Sequence, residues 1–119
     1  MININRYTYN TKNDSVWGPA FWFTIHNSSV HYPIQANSYY RENMKRFIVS
    51  IPSLIPCEKC KLHASSYIQT HLCRLDTIVS GRIKLFKFFV DFHNDVNIRN
   101  GKPVYNYIDA YDLYSNEPL

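Results

Sequence analysis

Pro56-Cys57-Glu58-Lys59-Cys60-Lys61 sets two cysteines three residues apart directly behind a proline. Proline suits the mouth of a helix, because the N–H it lacks would have had no partner in the first turn. A helix from Cys57 to about His71 is the natural reading. At i and i+3 the two thiols share a face, with Cα atoms close enough for a disulfide. Thiols in a first turn also meet unpaired backbone N–H groups and the positive end of the helix dipole. Such placement lowers a thiol from about 8.5 to roughly 3.5–7.5. Lys59 and Lys61 reinforce the effect and Glu58 opposes it. The pair can therefore carry electrons, hold a metal or brace a turn. A metal needs further ligands; His63 or His71 could serve, but no second Cys-x-x-Cys exists.

Outward from this motif the apolar spacing is helical. Ser15 reads as an N-cap, with Pro19 in the first turn, for a helix to about Val30 that His31-Tyr32-Pro33 ends. A second helix starts near Ser38 and carries Tyr40, Met44, Phe47, Ile48 and Ile51 at helical period, with Pro52 and Pro56 as breakers. Cys73 to Gly81 reads as a loop. A fourth helix starts near Arg82, with Ile83, Phe86, Val90, His93 and Val96 along one stripe. Asn100-Gly101 and Pro103 stop it. A short last helix is expected near Tyr107 to Tyr114. The expected fold is all-α: a four-helix bundle plus a short fifth helix, with residues 1–14 as a flexible arm and residues 15–119 as the folded domain.

The 119 residues suit one domain, and only three glycines beside ten tyrosines favour helices over a barrel or sandwich. The net charge of +4 comes from scattered lysines and arginines, so a nucleic-acid partner is not expected. The polar start, Met1 to Asp14, has no apolar core of a signal peptide, and the apolar run near Leu85 to Val90 is too short to span a bilayer. No membrane partner is expected, and a cytoplasmic location is. In a reducing compartment a disulfide is seldom structural, and three cysteines leave one unpaired. No strand-glycine-helix unit is present, so a nucleotide cofactor would have to sit among helices.

Two further stretches carry candidate site residues. In Trp17-Gly18-Pro19-Ala20-Phe21-Trp22-Phe23-Thr24-Ile25-His26, Trp22 and His26 are i and i+4 and share a face. An indole beside an imidazole suits a planar heteroaromatic ligand. Taken alone, the pair reads more simply as a buried tryptophan beside a satisfied core histidine. In His93-Asn94-Asp95-Val96-Asn97, imidazole and amides adjoin an apolar stripe, with Arg99 and Lys102 beyond. Such a helix can stack on a base while its cations meet phosphates, although a solvated polar face is the simpler reading of that stretch alone.

Together and in this order, the three stretches resemble the Erv/ALR family of FAD-linked sulfhydryl oxidases. The matching residues are Trp22 to His26, Tyr32-Pro33, Cys57 to Cys60, His93 to Asn97 and Gly101 to Pro103, within roughly residues 15 to 105. The short form looks like members carried by large cytoplasmic DNA viruses, most like that of African swine fever virus. The resemblance implies FAD held among the helices. Trp17, Gly18, Trp22, His26, His93, Asn94, Val96, Asn97, Lys102 and Tyr105 would bind it, and Cys57 and Cys60 would be catalytic. It implies Cys60 against the flavin, Cys57 facing outward, dithiols as electron donors and oxygen as acceptor. A homodimer is implied too, in host cytoplasm or with the virion. The sequence departs from cellular members in lacking a shuttle cysteine pair, which implies a separate Cys-x-x-Cys donor protein and a non-covalent dimer. It also lacks any cysteine from Arg74 to Leu119 that could clamp the last segment, leaving Tyr105, Tyr107 and Tyr111 to pack the end down. The remaining alternatives are a zinc-binding module using Cys57, Cys60 and His63, and a bundle with no ligand.

Overall fold

A computed structural model describes residues 13–115, and the expected arm through residue 12 lies outside them. Among the described residues every regular element is helical: α1 Asp14–Val30, α2 Ser38–Leu54, α3 Glu58–Thr70, a 3₁₀ turn Leu72–Arg74, α4 Leu75–Ile78, α5 Arg82–Arg99 and α6 Tyr107–Ser115. The bundle of four long helices with a short one at the end is as expected. Several boundaries differ, each for a local reason.

The cap of α1 is Asn13 and not Ser15. The Asn13 side-chain oxygen accepts from the Ser15 N–H at 2.9 Å and from the Ser15 hydroxyl at 2.8 Å, so Ser15 already lies inside the first turn. Helix α2 starts at Ser38 behind Asn37, which accepts from the Tyr40 N–H. Pro52 does not end α2. It has no N–H to give the preceding turn, and the helix runs only two residues further, to Leu54. The expected loop from Cys73 to Gly81 instead contains the end of the 3₁₀ turn and α4, because Leu75, Ile78 and Val79 are buried and must be brought inward in register.

Helix α5 is the centre of the fold. The expected stripe is too narrow, and Ile83 within it is 57% exposed. Leu85, Phe86, Phe88, Phe89, Val90, Phe92, His93 and Asn97 are all buried on one wide face, while Ile83, Lys84, Lys87, Asp91 and Ile98 on the other are exposed. Helices α1 and α6 pack on one another and on α5, while α2 packs on α3. A main core joins Ile25, Ile48, Ile51, Ile68, Leu85 and Phe89, and a smaller one joins Val30, Phe86, Val90 and Ala110.

The turn between α1 and α2 is bolted to the start of α5. The Tyr32 hydroxyl donates to the Val79 carbonyl at 2.8 Å, and Arg82 Nε donates to the Tyr32 carbonyl at 2.6 Å. The Ala36 N–H donates to the Ser80 carbonyl at 2.9 Å. Gly81 lies at this junction, and a Cβ there would collide with the carbonyl oxygen of Ile34. Backbone atoms cannot swing aside as a side chain can, so Gly81→Ala forces the two turns apart. Its cost should be that of overpacking, about 1–3 kcal/mol, seen as a melting temperature lower by roughly 5–10 °C. Unchanged melting would show that the two turns are not in contact.

Candidate functional site

The cysteine pair occupies the first turn of α3, with one adjustment. Cys57 is the N-cap, extended at φ −99° and ψ 121°, and the helix proper starts at Glu58. The Cys57 sulfur accepts the Cys60 N–H at 3.3 Å. A sulfur in this position takes the place of the oxygen of a serine or aspartate cap, so negative charge on it is favoured by the helix end. Cys57 and Cys60 are joined as a disulfide with Cα atoms 5.2 Å apart. Both are partly buried. Cys73 is exposed and free.

Cys60, but not Cys57, lines a cavity of about 530 Å³. Its walls come from the first half of α1, the start of α3, the last turns of α5, and α6 with the segment before it. Of the expected binding residues, Trp17, Gly18, Trp22, His93, Val96, Asn97, Lys102 and Tyr105 line it. His26 and Asn94 do not. His26 is 1% exposed and lies behind His93, whose Nδ1 is 2.9 Å from His26 Nε2. Asn94 has its amide turned to the backbone of Tyr105.

The wall is aromatic and ordered. Trp22 and His93 stack with centroids 4.0 Å apart and planes 5° from parallel, and Phe92 meets Trp22 edge-on at 5.3 Å. Tyr114 stacks on His26 at 4.3 Å and itself lines the cavity. Tyr114 and Leu113 of α6 and His63 of α3 are wall residues that the sequence reading missed. A hydrophobic residue at the end of a short, uncertain helix carried no signal of its own.

The His26–His93 contact requires one ring to donate and the other to accept, so the accepting ring is neutral. Burial pushes His26 down to about 3, with His93 adding to the effect. Burial also pushes His93 down to about 4, with the Lys102 ammonium adding to it. Two buried donors on the cavity wall, Trp17 Nε1 and Asn97 Nδ2, have no partner among the described residues, and neither has the buried His26 Nδ1. Arg99 and Lys102 bring positive charge to the same wall, Arg99 also pairing with Asp95 at 3.0 Å. Gly18 is buried, yet a Cβ on it would meet nothing within 4 Å, so a side chain there would project into the cavity. The wall therefore offers flat apolar rings, unpaired donors and cations to one occupant. Among the described residues no group of three or more His, Cys, Asp or Glu is gathered as a metal would need. His63 stands on the cavity wall and joins no such group, which leaves the zinc reading without a site.

The sequence pattern of the Erv1 / Alr family matches residues 19–113. The chain belongs to the Erv1 / Alr family. Among its relatives is a protein of Invertebrate iridescent virus 6 named as a FAD-linked sulfhydryl oxidase. It is 41% identical over 92 residues, covering 75% of this chain and 83% of the relative. A similarly named protein of Invertebrate iridescent virus 3 is 46% identical over 88 residues, covering 74% of this chain and 58% of that one. The FAD-linked sulfhydryl oxidase of an African swine fever virus isolate is 25% identical over 103 residues, covering 87% and 83%. In structure, the yeast Erv1 core superposes with a TM-score of 0.80 at 21% identity, covering 90% of this chain and 87% of that one. This Erv1 / Alr fold thus keeps its helical core at low sequence identity.

The two histidines set a pH dependence. The unfolded chain protonates each imidazole near its ordinary value of 6.5, whereas the folded protein resists until about 3 to 4. The unfolded state therefore binds more protons in this window, and stability should fall as pH drops from 6.5 toward 4. The slope is at most about 1.4 kcal/mol per pH unit for each ring. His26→Gln, which keeps a hydrogen-bonding side chain but does not titrate, should flatten the curve of melting temperature against pH between 7 and 4.5. The same slope in both proteins would contradict the neutral buried pair.

Proposed function

We propose that this chain is an FAD-dependent sulfhydryl oxidase that makes protein disulfides at Cys57–Cys60. The observation that carries this reading is Cys60 on the wall of an aromatic, cationic cavity, with its bonded partner Cys57 outside that wall. Membership of the Erv1 / Alr family and the names of the viral relatives support it.

The cavity suits FAD in size and chemistry. Its volume lies within the range of about 300–1,000 Å³ usual for cofactor sites. Trp22 and His93 offer a flat stacked surface, the unpartnered Trp17 and Asn97 donors suit ring or ribose acceptors, and Lys102 and Arg99 suit phosphates. Gly18 leaves the room that a side chain would fill. When bound, FAD takes the electron pair of a dithiol and passes it to oxygen, giving hydrogen peroxide.

The protein's own part is thiol exchange. A donor thiolate attacks the Cys57 sulfur; the Cys57–Cys60 bond breaks and Cys60 leaves as a thiolate. A second donor thiolate then attacks the mixed disulfide at the donor's sulfur, and Cys57 leaves. Two donor thiols have become one disulfide, and Cys57 and Cys60 hold the two electrons. The helix end favours each departing thiolate. The neutral His93 and its stack with Trp22 hold a rigid, water-poor wall beside Cys60. The donor is a separate protein with its own Cys-x-x-Cys, and the oxidase is a non-covalent homodimer. It acts in host cytoplasm or with the virion; no helix among the described residues is long and apolar enough to cross a membrane.

Cys57→Ser and Cys60→Ser should each abolish dithiol oxidation, whereas Cys73→Ser should not, read as peroxide release with a dithiol substrate. Cys60→Ser should also trap the donor on Cys57 as a mixed disulfide. A trap formed only through Cys60 in Cys57→Ser would reverse the two roles. Gly18→Leu should keep the helical fold, since leucine favours a helix over glycine by nearly 1 kcal/mol, roughly. It should nevertheless lose flavin. Full flavin content in Gly18→Leu would place the cofactor elsewhere.

A further inference from the structure

The geometry points to Asn94 as a positioning residue that acts through a strap, residues 101–115, and so governs how long the cavity holds its cofactor. This rests on the FAD reading above. The Asn94 side chain makes two hydrogen bonds to one residue: Nδ2 donates to the Tyr105 carbonyl at 2.8 Å, and Oδ1 accepts the Tyr105 N–H at 2.9 Å. An amide engaged in this way imitates a neighbouring strand and fixes both position and orientation of the backbone it meets. Each end of that amide is engaged by the strap, and Asn94 is not on the cavity wall.

What it fixes is the wall itself. Tyr105, Leu113 and Tyr114 of the strap line the cavity. Beyond Tyr105 the strap is held by a chain of tyrosine contacts. The Tyr107 hydroxyl donates to Asp91 Oδ1 at 2.7 Å, Tyr111 meets Phe86 edge-on at 5.3 Å, and Tyr114 stacks on His26. The apolar anchorage of α6 is thin. Ala110 is its one fully buried hydrophobic residue, while Ile108 is 70% and Leu113 59% exposed. A segment with so little buried area opens at lower cost than the core. Its docking is therefore set by these few polar and ring contacts, and the Asn94–Tyr105 pair sits at its root, four residues after the turn that Gly101 makes at φ +67°. Cofactor release requires the strap wall to part from α1 and α5. Loosening its root should speed that release without touching the cofactor.

The test uses the flavin-loaded protein and its Asn94→Ala variant. Alanine raises helix propensity in α5, so the bundle itself is not weakened. Hydrogen exchange in residues 105–115 should accelerate, while exchange in residues 85–93 should not. Flavin release, read as fluorescence gained after dilution, should be about ten- to thirty-fold faster for two lost hydrogen bonds. Tyr107→Phe removes a strap contact far from the wall and should move both readouts in the same direction by a smaller factor. Unchanged exchange in the strap of Asn94→Ala overturns the inference. Faster release with unchanged strap exchange also overturns it, since Asn94 would then act on the cofactor directly. A Tyr107→Phe protein identical to the unaltered one in both readouts contradicts a strap docking as a unit. Failure of the FAD reading is separate: the unaltered protein would hold no flavin, while strap exchange can still be measured.

Discussion

The wide apolar face of α5 is the constraint on which the rest of the structure depends. Leu85, Phe86, Phe88, Phe89, Val90 and Phe92 are buried on it, while Ile83, Lys84, Lys87 and Asp91 form an exposed face, so other helices must cover the buried side. The last turns carry polar groups into the same enclosure. His93 and Asn97 are buried there, and buried polar groups need partners. His93 finds His26; the Asn97 amide nitrogen finds no partner among the described residues. The cavity therefore lies where the buried face of α5 changes from apolar to polar and is not packed shut.

A second helix end brings the reactive group to this enclosure. Helix α3 starts at Glu58, and of the two cysteines in its first turn Cys60 lines the cavity. The same three-residue spacing permits the disulfide. Cap geometry ties the two together, since the Cys60 N–H is held by Cys57. Chemistry at one sulfur is linked by that geometry to the electrostatics of the other.

Much of this architecture could be read from the chain. The periodic apolar positions located all four long helices to within a residue or two, because α2 and α3 have polar outer faces. Four differences have physical causes. Ser15 and Asn13 both suit a cap, and only the geometry shows which oxygen reaches an N–H. Pro52 weakens the end of α2 without being its last residue, and the helix stops two residues later. Residues 73–81 hold Leu75, Ile78 and Val79 at a spacing too short for a periodic signal, so a packed turn looked like a loop. On α5 the buried face is wider than a single stripe and shifted off Ile83, since phenylalanines on both sides of the stripe are buried as well.

The candidate site was legible as a set of residue types in order, but not as roles. Trp22, His93, Asn97 and Lys102 lie on the wall because helical spacing and a tight turn place them there. His26 and Asn94 belong behind it, a distinction that depends on which side chain reaches the cavity first and that spacing along one helix does not encode. Tyr114 carried no signal because α6 is short, and its place is set by the stack on His26. The central claim is that Cys57–Cys60 passes electrons into a flavin held in this cavity. An anaerobic titration of the purified protein with a dithiol, followed by its visible spectrum, tests it most directly. A band at about 450 nm that bleaches with dithiol and returns with air, and that does not bleach in Cys57→Ser, is expected. A colourless protein, or a flavin band that bleaches equally well without Cys57, would contradict it.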